Sequence, residues 1–411
     1  MSHTPKASPR VTVVTPSYNS ARYIAQTVNS VLAQTFTDFE HIIVDDGSTD
    51  NTRELLEPYL QREPQRLIYV HQQNAGESVA RNNAIRRARG EYVAFLDSDD
   101  WWTPNNLALQ VPALDAAPEA VASYAYSFAV DNDGNPISFR GANRMSWGQP
   151  GVHALFERLV MGNVIANPNT VLARKTALLQ TTLFDEDIEW GEDWQLWLQL
   201  SLLGPFLFTP QETACYRMRR PGRRLEIEAS DDFVSENATV LQRAFDAVKA
   251  HHLNRADWLK LEPTAFRELY LRSAIHNFEL GDMKRAANYL EKMAAADPAY
   301  LRDQSDAFVK IIADIGFRLG SETGDFAKGL DYVRRVFDHL PQSLAAAQPL
   351  RGQALAELHM AAAFTEHEQG SQTGSRQQIA QHAISAMRAH WPNVRNRGLW
   401  AIGLKSVLGL K

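Results

Sequence analysis

The chain has 411 residues, 45% hydrophobic and 22% charged. That is an ordinary globular composition, which excludes a wholly disordered, collagen-like or coiled-coil chain; at about 150 residues per domain it suggests two or three domains. The formal net charge of −6 leaves no basic excess to neutralise phosphates, so nucleic acid is not an expected partner.

Residues 1–10 are polar and carry no apolar signal-peptide core, and read as a flexible N-terminus. Val11–Thr15 is a β-branched run ending at Pro16, and Ala21–Ala33 places Ile24, Val28, Val31 and Leu32 at helical spacing. Phe39–Val44 is a second apolar run, closed by the turn-forming Asp45-Asp46-Gly47-Ser48; Thr49 and Asp50 are candidate caps for a helix over Thr52–Leu60. Arg66–Val70 and Tyr92–Leu96 read as a third and a fourth strand, with a helix over Gly76–Arg89 between them. Strands alternating with helices at this pitch predict a mostly parallel sheet covered on both faces. Ligands in such sheets bind outside the carboxyl ends of the strands. The polar clusters Pro16–Asn19, Asp45–Ser48, Gln72–Gly76 and Asp97–Asp100 all fall there.

After residue 100 the pattern changes. Val121–Val130 and Ile137–Arg140 flank Asn132-Asp133-Gly134-Asn135, which reads as a hairpin turn. Thr170–Arg174 is a further strand, Glu192–Leu203 a helix with a broad apolar face, and Phe206–Phe208 and Thr213–Arg217 two closing strands of a mixed sheet. Beyond Pro221 the sequence is helical. Ala265–Leu301 holds two helical stripes separated by Leu280-Gly281-Asp282, like one tetratricopeptide unit. A later pair covers Gln353–Glu368 and Ser375–His390. One such unit is too little for a solenoid, so a small α-helical domain is the reading. The expected division is 11–220, split into a nucleotide-binding half at 11–100 and an acceptor half at 101–220, followed by 221–411. The tail Asn396–Lys411 mixes apolar and basic residues; packing on its own domain is favoured over peripheral contact with a membrane surface. No run reaches about 18 apolar residues, and the lone Cys215 excludes an intrachain disulfide. The expected location is the cytoplasm, with membrane association on its cytoplasmic face as the sharper alternative.

Several side chains carry chemistry. Asp97 and Asp99 follow an apolar strand and offer hard oxygen donors to a divalent cation such as Mn²⁺ or Mg²⁺, which would neutralise a diphosphate; Asp100 is a candidate cap near Trp101. Asp46 can accept from a base N–H or a sugar hydroxyl, against a plain turn-and-cap role. Asn74 and Gly76 lie at a helix N-terminus suited to an anion. Arg81, just over a turn later, can reach phosphate or an acid pair, or be an ordinary solvated residue. Glu192 and Asp193 open the apolar-faced helix, where a carboxylate is either a dipole partner or a general base. Arg219 and Arg220 belong to a basic cluster at the change to helical sequence.

Taken in order, Val11–Asn19, Ile43–Asp50, Gln73–Gly76, Ala80-Arg81-Asn82, Phe95–Asp100 and Glu192-Asp193-Trp194 resemble the motifs of family 2 glycosyltransferases, over roughly the first half of the chain. The resemblance implies a GT-A fold, a Rossmann-like mixed sheet, here followed by an all-α C-terminal domain. It also implies inverting transfer from a nucleotide-diphospho-sugar, UDP-linked by expectation, to a glycan or lipid-linked acceptor in polysaccharide assembly. Pro16 and Tyr18 would line the nucleotide pocket. Asp46 would contact base or ribose, and Asn74, Gly76 and Arg81 would lie near base, ribose or diphosphate. Asp97 would sit near the donor sugar or ribose and Asp99 would ligate Mn²⁺ or Mg²⁺. Asp193 would be the base and Glu192 its acceptor-side neighbour. The family's Tyr-Arg-x-His appears here as Tyr216-Arg217-Met218-Arg219, so Arg219 or Arg220 would pair with diphosphate where the family has histidine. A catalytically silent scaffold acting through the helical region is the alternative, and the intact acids argue against it. A nucleotidyltransferase would need a Gly-rich basic loop after the first strand, which Pro16-Ser17-Tyr18-Asn19 does not provide.

Overall fold

The computed structural model describes residues 8–137, 149–165, 167–218, 223–250, 255–368 and 376–390. The chain packs as two compact units, Met1–Arg224 with Asp231–Ala265, and Leu225–Ser230 with Phe266–Lys411.

The first unit begins β1 (Val11–Ser17), α1 (Ile24–Leu32), β2 (Phe39–Asp45), α2 (Thr52–Arg62), β3 (Leu67–His71), α3 (Glu77–Arg87) and β4 (Tyr92–Phe95). It continues with β5 (Trp101–Trp102), α4 (Asn106–Asp115), β6 (Ala122–Val130), β7 (Gly151–His153), α5 (Phe156–Leu159), β8 (Val171–Arg174), α6 (Lys175–Leu178), α7 (Glu192–Leu203) and β9 (Phe206–Arg217). The strands form one sheet in the order β3-β2-β1-β4-β8-β6-β9-β5, with β7 beside β9. β3, β2, β1 and β4 run parallel, whereas β8 is antiparallel to both β4 and β6. Every residue of β1 and β2 is buried, so their apolar residues do not alternate with exposed polar ones, and the polar side chains they carry are paired inside, as Thr12 with Glu40 and Thr15 with His41. Ile24 and Val28 of α1 pack with Ile43, Leu56 and Leu67 on one face. On the other, Val11 and Val13 meet Leu107, Val111 and Leu114 of α4.

Pro16 helps to place the site. The pairing of β1 with β4 ends at Val14 opposite Phe95, and the Leu96 N–H still donates to the Val14 carbonyl at 2.9 Å. Proline has no N–H with which to extend that ladder, so β4 parts from β1 and the polar turn Asp97–Asp100 starts there.

Two expectations change. The two closing strands are one, β9, whose polar stretch Thr209–Glu212 coincides with the register shifts against β6. The polar break is an irregularity within a strand, not a loop. The hairpin turn forms, with the Asp131 carboxylate accepting from the amides of Asp133 and Asn135 at 2.9 Å each. Its return side shows an isolated bridge between Val130 and Pro136, and the rest of the expected strand, 138–140, lies outside the described residues.

The helical elements that follow are α8 (Arg224–Glu228), α9 (Asp231–Ala250), α10 (Ala256–Leu259), α11 (Glu262–Leu280), α12 (Met283–Ala296), α13 (Tyr300–Asp303), α14 (Ser305–Thr323), α15 (Phe326–Asp338), α16 (Leu350–Glu368) and α17 (Arg376–Ala389). Asp282 caps α12 by accepting from the Arg285 amide at 2.9 Å, in the break seen in the sequence. Between the two expected helix pairs lies a third, α14 with α15. These cross with backbones touching, since a Cβ on Gly329 would collide with the Gly316 carbonyl. Among the described residues no helix is long and apolar enough to cross a membrane.

Candidate active site

The site is built at the carboxyl ends of β1, β2 and β4 and the start of α7. After β2, the Asp46 amide donates to the Ser17 carbonyl at 2.8 Å, which fixes the turn to β1. The Asp46 carboxylate then gathers the segment before α3. Its Oδ1 accepts from Gln72 Nε2 at 2.7 Å and the Ala75 amide at 2.9 Å, and its Oδ2 from the Gly76 amide at 2.9 Å. An ionised carboxylate has about four lone-pair sites, so one remains on Oδ2 for a ligand N–H or hydroxyl. Gly47 permits this closeness: its φ is +77°, and a Cβ there would lie 2.9 Å from the Asn74 nitrogen. Pro16 is buried in β1, and Tyr18 just beyond it is 50% exposed, an aromatic face at the rim of the same segment.

Arg81 is the centre of the arrangement. It lies on α3, 2% exposed, with its ring-facing side over Phe184. Its NH2 pairs with Glu77 and, at 2.8 Å, with Asp97 Oδ1, while NH1 reaches Glu192 Oε1 at 3.1 Å. Thus a single guanidinium joins α3, the turn after β4 and the start of α7. Burial by itself would lower the Arg81 pKa, but the charges of Glu77, Asp97 and Glu192 more than reverse that, and the group stays protonated. Of the partners considered from the sequence, the acids are the ones the guanidinium touches in this structure.

The turn Asp97–Asp100 is pinned from several sides. The Asp97 amide donates to Asn169 Oδ1 at 2.8 Å, Ser98 Oγ meets Ser20 Oγ at 2.6 Å, and Thr27 Oγ1 donates to the carbonyls of Ser98 and Asp100 at 3.0 and 2.8 Å. Arg217, 4% exposed, donates Nε to the Asp99 carbonyl at 3.0 Å and its amide to Asp100 Oδ1 at 2.6 Å. Asp100 is therefore no helix cap. Its buried carboxyl is bound by Arg217 and Asn169, and burial, then the charges of Asp99 and Asp97, raises its pKa well above the usual range.

At the start of α7 the Asp193 carboxylate accepts from Asn163 Nδ2 at 3.2 Å on both oxygens and from the Trp194 amide at 2.6 Å on Oδ1. Burial pushes Asp193 up to about 6, against Arg81, the Trp194 amide and Asn163, which pull it down. Burial and the neighbouring Asp193 charge push Glu192 up to about 7. Two adjacent carboxyls whose protons come off near neutrality are suited to accept one from a hydroxyl.

The donor set fits a hard divalent cation in part. Among the described residues no group of three or more His, Cys, Asp or Glu is arranged to hold a metal. Asp97 and Asp99 supply oxygen only, and Arg81 is hydrogen-bonded to an acid cluster that includes Glu77, Asp97 and Glu192. A hard cation bound by one or two carboxylates completes its shell with phosphate oxygens and water, which suits such a set.

The structure thus brings together Asp97, Arg81 and Glu192 by contact. Asp193 follows Glu192 in α7, Asp99 shares the pinned turn with Asp97, and Asp46, Asn74 and Gly76 form the neighbouring segment. Arg219 and Arg220 lie outside the described residues, as does the tail 396–411. Sequence reasoning missed Glu77, Asn163, Asn169 and the bracing role of Arg217. Glu77 could have been found, because a carboxylate four residues before an arginine on a helix is a pairing position.

Residues 12–168 match the family model described as Glycosyl transferase family 2. Over 129 residues the chain is 44% identical to TuaG of Bacillus subtilis, a proposed teichuronic acid biosynthesis glycosyltransferase, across 31% of this chain and 51% of that one. Over 230 residues it is 33% identical to a chondroitin synthase of Escherichia coli, across 56% of this chain and 32% of that one. The chain therefore spans about half the length of the first relative and a third of the second. Among solved structures it is similar to a mannosyltransferase from Pyrobaculum calidifontis in complex with GDP-Man and Mn²⁺, with 21% identity, a TM-score of 0.48, and coverage of 81% of this chain and 89% of that one.

Proposed function

Because this chain carries a family 2 glycosyltransferase domain, on a GT-A-type mixed sheet, we propose that it transfers a sugar, with inversion, from a nucleotide-diphospho-sugar to a hydroxyl of a glycan or lipid-linked acceptor in polysaccharide biosynthesis. The observation that carries the reading is the buried Arg81 bridge between Asp97, beside the nucleotide-side segment, and Glu192, at the start of α7. It holds the proposed donor-side and acceptor-side acids on one guanidinium. The names of the relatives, one concerned with teichuronic acid and one with chondroitin, support a polysaccharide setting.

On this reading Pro16, Tyr18 and Asp46 receive the nucleoside, and the spare lone pair of Asp46 accepts from base or ribose. Asn74 and Gly76 lie next to it, and Arg81 with Asp97 faces the ribose, diphosphate and sugar. Asp193 removes the proton from the acceptor hydroxyl as its oxygen bonds to the anomeric carbon. The bond from that carbon to the diphosphate oxygen breaks, and the nucleoside diphosphate leaves with the electron pair. Glu192, held by Arg81, keeps the acceptor side acidic and oriented. A divalent cation, Mn²⁺ or Mg²⁺, held by Asp99 would neutralise charge on the departing diphosphate.

The test is a screen of the purified protein against UDP-, GDP- and TDP-sugars with Mn²⁺, Mg²⁺ or EDTA, measuring binding and release of nucleoside diphosphate. Binding of one donor with slow release is the expected result. Failure to bind any donor, under conditions where the protein is folded by circular dichroism, would sink the proposal.

A further inference from the structure

We infer that Asn163 is a positioning residue for Asp193, one that aims its carboxylate and keeps it ionised for proton removal; the inference rests on the catalytic reading above. The geometry is specific. Asn163 Nδ2 lies 3.2 Å from Oδ1 and 3.2 Å from Oδ2 of Asp193, so one amide nitrogen straddles the carboxylate and fixes its plane. The amide is itself oriented, because its Oδ1 accepts from the Ile165 backbone N–H at 3.1 Å. With the oxygen so engaged, the NH₂ end must face Asp193. The segment carrying Asn163 is in turn fastened to α7. Trp194 Nε1, on the residue after Asp193, donates to the Leu159 carbonyl at 2.7 Å. Carboxylate and amide are therefore fixed to one another by two independent links.

The groups that set the charge on Asp193 are Glu192 beside it on α7, Arg81 from α3 and Asp97 from the turn after β4. Glu192 and Asp97 favour the protonated acid, as does burial. Arg81 is shared among Glu77, Asp97 and Glu192, so its help to Asp193 is divided. The Asn163 amide and the Trp194 amide are the hydrogen-bond donors to the ionised form. The Trp194 amide belongs to the helix start and is fixed with it. Asn163 is thus the side chain whose removal changes the ionisation of Asp193 while the helix and its charges stay in place. A hydrogen bond to the charged form favours that form, and a donor on both oxygens leaves the outer lone pairs for the acceptor hydroxyl.

The experiment compares wild type, Asn163→Ala, Asn163→Ser and Asp193→Asn. Each is assayed for release of nucleoside diphosphate from whichever UDP- or GDP-sugar the wild type hydrolyses, between pH 5 and 9, with donor affinity measured by calorimetry. Asn163→Ala is expected to move the acid limb of the kcat profile up from about 6 by about one pH unit, so that activity falls roughly fivefold at pH 6 and little at pH 8.5, with donor affinity unchanged. Asn163→Ser, which keeps a donor, recovers part of the shift. A loss equal at every pH, or an acid limb that stays put, overturns the inference. Full turnover in Asp193→Asn would instead overturn the catalytic reading on which it rests, and the two failures are separate. Circular dichroism of Asn163→Ala guards against misfolding; if that variant unfolds, the Asn163→Ser limb decides alone.

Discussion

Two carboxylates, Asp46 in the turn after β2 and Asp193 at the start of α7, each accept hydrogen bonds from nearby donors but differ in the charges around them. Asp46 is surrounded by donors, from the Gln72 side chain and the Ala75 and Gly76 amides, so its negative charge folds a loop. Asp193 shares its surroundings with Glu192 and Asp97, is buried, and has its pKa raised to about 6. The first carboxylate is spent on structure with a little capacity left over. The second sits where its charge is least comfortable, which is what a proton acceptor needs. Aspartate at the end of a strand or the start of a helix is thus not one kind of group; the charges that share its surroundings decide.

The contrast can be broken most directly at Asp193. Asp193→Asn keeps the shape and removes the proposed base, so turnover should fall by about 10²–10⁴-fold while calorimetric donor affinity holds. An equal loss of donor affinity would place Asp193 on the donor side. Next comes Arg81→Ala, which strands Glu77, Asp97 and Glu192 without their counter-charge and should cost about 3–5 kcal/mol in urea unfolding. Stability within 1 kcal/mol of wild type, roughly the value of an exposed pair, would mean the bridge is not buried in solution. Asp46→Ala leaves the Ala75 and Gly76 amides without an acceptor and should cost about 1–3 kcal/mol, with donor affinity falling alongside. Unchanged stability would mean the loop closes without it.

The smallest effect is a pH dependence. Asp193 and Glu192 have folded pKa values raised to about 6 and about 7, above their ordinary values of 3.8 and 4.5. The folded state therefore binds their protons more tightly than the unfolded state. The stability this gives is complete below about pH 4 and disappears as pH rises through 6 to 7. The Asp193→Asn variant cannot ionise at that position, so its melting temperature relative to wild type should rise between pH 5 and pH 8. A constant difference across that range would show that Asp193 titrates normally.

Much of this site was legible because it is local. Asp45–Ser48, Gln72–Gly76 and Asp97–Asp100 each sit at the end of an apolar run, and the alternation of strand and helix places such ends together. What was not legible is what lies far apart in sequence and carries no periodicity. Asn163 meets Asp193 from a segment without regular structure, and Asn169 meets the Asp97 amide across the sheet. An asparagine in a loop has many equivalent uses, and only the fold selects one. Arg217 was read as part of a motif, yet its guanidinium is consumed by the Asp99, Asp131 and Asn132 carbonyls and by Gln26. The polar stretch of β9 looked like a loop because a register irregularity and a turn use the same residue types. The helix pair α14 and α15 was passed over although Phe308, Val309 and Ile312 mark a buried stripe.

The Arg81 bridge also sets an order of events in synthesis. Glu77 precedes Arg81 by 4 residues and Asp97 follows it by 16, but Glu192 comes 111 residues later. A chain emerging from the ribosome can pair β1, β2, β3 and β4 early, since those contacts are close in sequence, and the proposed nucleotide side takes shape with Arg81 already bound to two acids. Its third arm closes only when α7 has been translated and docked. Completion of the proposed site is therefore a late event, and nascent chains stalled before Gly191 should resist protease over 11–100 without releasing nucleoside diphosphate from any donor.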